Sequence, residues 1–191
     1  QTFQDWEMIV VDDCSTDGSA AIVRAFSDHD SRIKLIQLNV NSGAAVARNK
    51  AIEAARGRYI AFLDSDDLWL PKKLEKQLAF MKANEYSFVF SAYDKIDEDG
   101  QVFGRVGVPN RVSYYDLLKI PSIGCLTAIY DTYYLEKVFM PMIRKRQDLG
   151  LWLKLLKTTN YAYGLNETLA QYRVRPGSIS ANKSNAAMFT W

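Results

Sequence analysis

The 191-residue sequence has little histidine and little cysteine, and both shortages narrow the chemistry it can perform. It contains one histidine and two cysteines. Cys14 and Cys125 lie far apart and share no short motif, which predicts reduced cysteines rather than a disulfide framework or a zinc site. His29 lies in a polar turn, which argues against Ser-His or Cys-His triads and against multi-histidine metal sites. The chemistry must therefore depend on carboxylates, a metal ion and backbone donors.

The sequence also lacks a strong excess of charge and any long hydrophobic run. The formal net charge is +2, which is too balanced to indicate a nucleic-acid-binding protein. The longest apolar runs, such as Tyr59 to Leu63, are far shorter than the roughly 18 residues of a membrane span. With 48% hydrophobic and 24% charged residues, the composition is typical of a soluble globular protein. Length and composition together predict one domain, residues 1–191.

Hydrophobic periodicity predicts alternating strands and helices in the first half of the chain. The predicted strands are 7–13, 32–38, 59–63, 88–90, 102–103, 126–130 and 169–174, and the predicted helices are 21–26, 42–56, 71–81 and 149–156. Strands that alternate with helices are typical of right-handed crossovers in a parallel sheet. The pattern changes after about residue 86, so we predict an α/β fold whose single domain has two halves, 1–85 and 86–191.

Acidic residues end two of the predicted strands. Asp12 and Asp13 follow the first strand, and Asp64, Asp66 and Asp67 follow the third. Because ligands bind beyond the carboxyl ends of parallel strands, these acids are expected in one crevice. Crowded carboxylates repel each other unless a cation lies among them, and Mg²⁺ or Mn²⁺ suits oxygen ligands. The alternative is that these acids only cap helices and solubilise turns.

Four segments, in register, resemble family 2 glycosyltransferases: Gln1–Glu7, Val11–Ser19, Asn41–Asn49 and Tyr59–Asp67. The resemblance covers nearly the whole chain and is strongest from Gln1 to Leu70. It implies the GT-A fold of nucleotide-diphospho-sugar transferases, with a mixed, mainly parallel sheet flanked by helices. It also implies an inverting, metal-dependent enzyme of bacterial cell-wall or capsule polysaccharide synthesis, including the teichuronic acid type. Such enzymes move a sugar from a nucleotide-diphospho-sugar, here a UDP-sugar, to a hydroxyl of a glycan or lipid-linked acceptor. The resemblance implies that the half at 1–85 binds the nucleotide-sugar and that the half at 86–191 binds the acceptor.

The resemblance assigns the acids at the strand ends to the sugar donor. Asp13, beside Asp12, would bind the nucleotide base. Asp64 and Asp66 would be the D-x-D pair of the family. Asp64 would face the ribose or the sugar and Asp66 would ligate the metal, so the implied cofactor is Mn²⁺ or Mg²⁺, held by these two residues.

The resemblance assigns three further positions to the reaction. Arg48 matches a position near the nucleotide, with a solvated helix arginine as the alternative. Asp148 matches the catalytic base, although an acid also suits the first turn of a helix. Gln147 departs from the common Glu-Asp pattern of the family. Arg175 stands where histidine is frequent, and it would contact the diphosphate, with a surface arginine as the alternative.

The resemblance also implies where the protein acts. The family normally has an apolar strand and a helix before the segment matched by Gln1 to Phe3, so we expect these residues in a longer natural protein. A lipid-linked acceptor implies a cytoplasmic location with peripheral contact at the inner face of the membrane. The basic pair Lys72-Lys73 and the basic triplet Arg144-Lys145-Arg146 would favour anionic lipid there. The alternative is that these basic side chains are only solvated.

Two other functions fit parts of the pattern. A phosphatase of the haloacid dehalogenase type also places D-x-D after an apolar strand, and Asp64 would then be a covalent nucleophile. A non-catalytic nucleotide-sugar-binding subunit would explain Gln147 and the absent front strand. The first alternative leaves the acids at Asp12 and Asp13 unexplained.

Overall fold

The computed structural model describes residues 1–175, which form two compact units. The small-sheet unit comprises residues 3–60 and 131–158. The large-sheet unit comprises, among the described residues, 1–2, 61–130 and 159–175. The chain thus leaves the large-sheet unit twice, after residues 2 and 130, and returns to it twice, at residues 61 and 159. Division into halves at 85/86 within one domain remains a prediction.

The strands and helices follow one another in the order that the periodicity predicts, with several short additions. The strands are β1 (Met8–Asp12), β2 (Ile33–Gln37), β3 (Tyr59–Ala61), β4 (Leu68–Trp69), β5 (Phe88–Ile96), β6 (Val102–Val106), β7 (Arg111–Val112), β8 (Ile129–Asp131) and β9 (Ala162–Arg173). The helices are α1 (Ser19–Ser27), α2 (Ala44–Ala54), α3 (Lys73–Asn84), α4 (Tyr114–Lys119), α5 (Thr132–Leu135) and α6 (Gln147–Thr158). The chain passes from one unit to the other within β3 and within β8.

The small-sheet unit is built on the parallel pair β1 and β2, which runs in register from Met8 opposite Ile33 to Asp12 opposite Gln37. Helix α6 buries an apolar stripe that includes Leu151, Trp152, Leu155 and Leu156. Helix α1 has the predicted apolar stripe, but none of its nine residues is buried. Ile22 and Phe26 remain more than 60% exposed, because two strands about 4.8 Å apart offer a narrow face to a helix about 10 Å wide.

The large-sheet unit is built on the long parallel pair β5 and β9. Strands β6 and β8 pair antiparallel with β5, and β4 and β7 pair antiparallel with β9. The first five residues of β5, Phe88 to Ala92, are all buried. Burial at five successive positions, of which only Ser91 is polar, is typical of a strand covered on both faces. The predicted mixed sheet is confirmed for the seven-stranded sheet, whereas β1 and β2 form a separate two-stranded sheet. The longest ladder of each sheet, β1–β2 and β5–β9, is parallel.

Three details differ from the predicted elements. The predicted strand 126–130 begins instead with a 3₁₀ helix, Cys125–Thr127, because the Thr127 backbone N and hydroxyl both bond to the Gly124 carbonyl. Strand β9 begins at Ala162 rather than at 169, because its first half forms a ladder with β5. Short elements such as β4 and α5 have too few residues to show a period. Within residues 1–175, no helix is long and apolar enough to cross a membrane.

Candidate functional site

Asp13 lies just after β1, in the small-sheet unit, and organises the start of α2. Its Oδ1 accepts a hydrogen bond from the Ser42 backbone N, and its Oδ2 accepts one from the Gly43 backbone N, both at 2.7 Å. The Asn41 side-chain amide donates to the Asp13 carbonyl at 3.1 Å. Gly43 has φ 88°, a conformation that favours glycine. Asp13 therefore fixes the loop that leads into α2 through both of its carboxylate oxygens.

Asp12 is the last residue of β1, and its side chain stabilises the turn that follows the strand. The residue is only 8% exposed, and its Oδ1 accepts a hydrogen bond from the Ser15 backbone N at 3.3 Å. Gln37, its partner in register on β2, donates to Oδ2 at 3.5 Å. Hydrogen bonding from Ser15 is the main cause that holds the pKa of Asp12 below its ordinary value. Asp12 thus remains ionised while it supports the loop that carries Asp13.

Helix α2 also holds the start of α6 in place. Asp148 lies in the first turn of α6. The Arg48 Nη1 donates to the Gln147 side-chain oxygen at 3.3 Å. The next residue, Asn49, donates through its amide to the Met140 carbonyl at 3.0 Å and accepts from the Met140 backbone N at 2.7 Å. Arg48 and Asp148 are therefore parts of one packed assembly within the small-sheet unit. Gln147, the residue that departs from the family pattern, thus accepts a hydrogen bond from Arg48.

The acidic loop, residues 64–67, lies in the large-sheet unit directly after β3. A turn closes it, in which the Asp67 backbone N donates to the Asp64 carbonyl at 3.0 Å. Asp67 is 6% exposed and accepts a hydrogen bond from the Arg173 backbone N at 2.9 Å. Burial, with a smaller contribution from Asp66 and Asp64, raises the pKa of Asp67 to about 7. The last acid of the loop therefore joins the loop to β9.

Arg173, at the end of β9, holds the acidic loop from the other side. Its Nε donates to the Asp66 carbonyl at 3.0 Å, and its Nη1 donates to the carbonyls of Asp97 and Glu98 at 2.8 Å each. One guanidinium thus joins the acidic loop to the turn between β5 and β6. Sequence reasoning missed Arg173 because its partners are backbone carbonyls, which no side-chain pattern reveals. We call this set of bonds the Arg173 clamp.

A cavity of about 430 Å³ opens beside the clamp, within the large-sheet unit. It is lined by Ser65, Asp66, Asp67, Leu68, Glu98, Arg173 and Arg175. This volume falls in the range of sites that hold small ligands, which is about 300–1,000 Å³. Carboxylates that can hold a cation lie here beside guanidinium groups that can pair with phosphate. Asp66 and Arg175, both selected from the sequence, thus line the same cavity.

Asp64, the other residue predicted to bind metal, is not among the residues that line this cavity. Within residues 1–175, no three histidine, cysteine, aspartate or glutamate side chains are gathered closely enough to hold a metal ion. Metal binding by Asp64 and Asp66 therefore remains a prediction. Arg48, Asp12, Asp13 and Asp148 lie in the small-sheet unit, and their roles toward a donor also remain predictions.

Comparison with known proteins decides the family. The profile of Glycosyl transferase family 2 matches residues 1–139, which is well over half of the chain. The chain belongs to this family. As a family 2 glycosyltransferase it is an enzyme of the sugar-transferring class, which confirms the resemblance found in the sequence. The phosphatase alternative therefore loses its support.

Two curated relatives of this family 2 glycosyltransferase have names that describe a biosynthetic role or a reaction. TuaG of Bacillus subtilis (strain 168), named for teichuronic acid biosynthesis, is 50% identical over all of this chain and 76% of the relative's length. The Escherichia coli protein WfgD is 41% identical over all of this chain and 74% of its own length. Its name describes a β-1,3-glucosyltransferase that uses UDP-Glc and an α-D-GlcNAc-diphosphoundecaprenol acceptor.

Solved structures similar to this family 2 glycosyltransferase have the GT-A fold, which confirms the predicted fold class. Staphylococcus aureus TarS 1–349 in complex with UDP matches with a TM-score of 0.73 and 25% identity, over 91% of this chain. The mannosyltransferase PcManGT of Pyrobaculum calidifontis, in complex with GDP-Man and Mn²⁺, matches with a TM-score of 0.68 and 20% identity, over 95% of this chain. The chain spans about half the length of these two structures, 54% and 51%.

Proposed function

We propose that the chain catalyses metal-dependent, inverting transfer of a sugar from a UDP-sugar to a hydroxyl group of a glycan or lipid-linked acceptor. The product would be part of a bacterial surface polysaccharide. The observation that carries this proposal is the cavity shared by Asp66 and Arg175, which pairs a carboxylate with a guanidinium group. The names of WfgD and of the TarS complex with UDP support a uridine nucleotide as the donor.

The acidic loop and Arg175 would hold the diphosphate of the donor. Asp64 and Asp66 supply the oxygen ligands that Mn²⁺ or Mg²⁺ prefers, and a pair of carboxylates leaves positions for phosphate oxygens. Such a cation, when bound, stabilises the negative charge that develops on the leaving diphosphate. The Arg173 guanidinium already binds three carbonyls, so we assign the phosphate contact to Arg175.

Asp13 would bind the uracil base while it keeps its structural role. Each carboxylate oxygen of Asp13 accepts one backbone hydrogen bond. An ionised carboxylate has about four acceptor positions on its two oxygens, so it can also accept from an N–H of the base. Asp12 supports this position through the turn at Ser15, and Arg48 contributes positive charge on α2. The loop that Asp13 organises is thus the proposed base-binding element.

Asp148 would act as the general base. Its carboxylate removes the proton from the acceptor hydroxyl as that oxygen attacks the anomeric carbon from the face opposite the nucleotide. The bond between the anomeric carbon and the diphosphate oxygen then breaks, so the configuration inverts and the proton remains on Asp148. A positioned base of this kind is worth about 10²- to 10⁴-fold in rate. The contact from Arg48 to Gln147 would hold the first turn of α6 in place for this step.

Calorimetric titration with UDP tests the donor part of the proposal. We expect UDP to bind in the presence of Mn²⁺ and to bind much more weakly in EDTA. Asp66→Asn should abolish the metal-dependent part, since it removes one carboxylate from the cation. Asp99→Asn is the matched control, because Asp99 is an exposed acid of the same unit that does not line the cavity. UDP affinity that is equal in Mn²⁺ and EDTA would contradict the metal role.

Slow hydrolysis of the donor distinguishes an enzyme from the non-catalytic subunit. With a UDP-sugar that binds and no acceptor present, the enzyme should release free sugar and UDP over hours. A non-catalytic subunit would bind the same donor and leave it intact. Asp148→Asn should slow this release without weakening UDP binding.

A further inference from the structure

The turn between β5 and β6 carries three consecutive acids, and they differ in their relation to the cavity beside the acidic loop. Glu98 lines this cavity, whereas Asp97 and Asp99 do not. All of the lining residues belong to the large-sheet unit. The roles proposed for Asp66 and Arg175 leave Glu98, in the wall of the same cavity, unexplained.

Hydrogen bonds fix the backbone of this turn and therefore the position of Glu98. The Asp97 Oδ1 accepts a hydrogen bond from the Gln101 backbone N at 2.8 Å, and the Asp97 carbonyl accepts one from the Gly100 backbone N at 3.2 Å. Gly100 has φ 84°, a conformation that favours glycine. The Glu98 carbonyl accepts from the Arg173 Nη1 at 2.8 Å. The Asp97 side chain is thus used by the turn itself, and the Arg173 clamp holds Glu98 at the cavity.

The carboxylate of Glu98 takes no part in these bonds. Within the part of the chain that the structure describes, residues 1–175, Glu98 is bonded through its main-chain carbonyl, and its carboxylate has no hydrogen-bond or ion-pair partner. An ionised carboxylate has about four acceptor positions and no donor. It therefore suits a ligand group that donates hydrogen bonds, and it disfavours an anion.

We propose that Glu98 selects a neutral sugar on the donor by accepting a hydrogen bond from one of its hydroxyl groups. The inference rests on the proposed function, in which the cation and Arg175 hold the diphosphate in this cavity. The sugar is bonded directly to that diphosphate, so it would lie beside the cavity wall that Glu98 forms. Hydroxyl groups are the donors that the Glu98 carboxylate lacks, and a hydrogen bond from a hydroxyl to a carboxylate is among the stronger kinds.

The same carboxylate would act against an anionic sugar. The carboxylate of a uronic acid would meet Glu98 with like charge and with no proton to donate. Selective sites use such repulsion of the wrong ligand as well as attraction of the right one. The Arg173 guanidinium is already bound to three carbonyls, and Arg175 is assigned to the diphosphate. The donor class that follows is a UDP-linked neutral hexose or N-acetylhexosamine.

Calorimetric titration of the 191-residue chain in Mn²⁺ with three ligands tests the proposal. UDP has no sugar, UDP-Glc carries a neutral sugar, and UDP-glucuronic acid differs from UDP-Glc only at carbon 6. We expect Glu98→Ala to bind UDP-Glc about 10- to 100-fold more weakly than the parent does, because a hydrogen bond to a charged group is lost. UDP affinity should be unchanged, which also shows that the variant folds.

The uronic acid tests the repulsive part. The parent should bind UDP-glucuronic acid about tenfold or more weakly than UDP-Glc, because like charges would face each other. Glu98→Gln keeps the shape of the side chain and removes its charge, so it should narrow this difference. Asp99→Ala is the matched control, since Asp99 is the next acid of the turn and does not line the cavity. It should bind all three ligands as the parent does.

Three results would overturn the proposal. Glu98→Ala could bind UDP-Glc as tightly as the parent does, or the parent could show no preference for UDP-Glc over UDP-glucuronic acid. Glu98→Ala could also lose affinity for UDP and UDP-Glc alike, which would make Glu98 part of the diphosphate or metal site. A parent chain that does not bind UDP refutes the proposed donor site and the role of Glu98 with it. A parent that binds UDP, with Glu98→Ala unchanged toward UDP-Glc, refutes the role of Glu98 alone.

Discussion

Lys73 provides a sharp test of the packing described for the large-sheet unit. The side chain, at the first position of α3, is fully buried, and its Nζ lies 4.2 Å from the centroid of the Trp69 ring. Within residues 1–175, this Nζ has no hydrogen-bond partner. Burial lowers the pKa of Lys73 from 10.5 to about 7. Replacing it with methionine keeps the length and apolar stem of the side chain and removes the amine.

The expected change follows from the two pKa values. Unfolded chains hold the Lys73 proton up to about pH 10.5, whereas folded chains release it near pH 7, so between these values the unfolded state binds more protons. The free energy of unfolding therefore rises with pH across this window, by at most about 1.4 kcal/mol per pH unit from this residue, and is flat below it. Lys73→Met should remove this rise. At pH 7 the variant should be more stable by about 2 kcal/mol or more, because a buried ammonium without a hydrogen bond is costly.

Guanidinium-induced unfolding at about pH 7 and about pH 9 measures both effects. The difference between parent and variant isolates Lys73 from other groups that titrate in this range. Lys82→Met is the control, since Lys82 lies on the same helix and is exposed, and it should change neither stability nor its pH dependence. A Lys73→Met chain that is less stable than the parent at pH 7, or equally dependent on pH, would refute the reasoning.

Three further predictions concern the site. Asp148→Asn should lower the rate of sugar transfer by about 10²- to 10⁴-fold with UDP affinity unchanged, and a transfer rate near that of the parent would remove Asp148 from the mechanism. Arg173→Met should weaken Mn²⁺-dependent UDP binding more than tenfold, because the acidic loop loses the Arg173 clamp. Arg105→Met is the control. It also removes the side-chain hydrogen bonds of an arginine in the same unit, and it should leave UDP binding unchanged. Asp13→Ala should lower the free energy of unfolding, measured by chemical denaturation, by about 2 kcal/mol, because two hydrogen bonds to a carboxylate are lost. An unchanged free energy of unfolding would show that the loop before α2 does not depend on Asp13.

Much of the fold could be predicted because periodicity is a local property. The apolar runs before Asp12 and Asp64 are strands of the predicted kind, and the stripe of Leu151, Trp152 and Leu155 is buried as helical spacing requires. Strand β9 was recognised only at its end, since its first half owes its strand structure to a ladder with β5. That ladder depends on residues far away in the sequence, and the local hydrophobic periodicity of β9 cannot reveal such a pairing.

The parts of the site in which acidic residues follow strands could be predicted from the sequence. The parts that depend on backbone hydrogen bonds or on burial could not. Asp66 and Arg175 line one cavity, in agreement with the part of the site assigned to the diphosphate. Arg173 was missed because its partners are carbonyls that the fold brings together. Lys73 was expected as half of a surface pair with Lys72, and that expectation was wrong, because helix α3 turns its side chain onto Trp69.

Helix α2 has a consequence for how this enzyme can diverge. Its N-terminal loop is bound by Asp13, and Arg48, one turn further along, contacts Gln147. At 1.5 Å per residue, the helix sets about 7 Å between these two attachments. One inserted residue would rotate Arg48 by about 100° and carry it away from Gln147. Evolution can therefore substitute residues of α2 but not change its length, so this helix acts as a fixed spacer between the loop held by Asp13 and the start of α6.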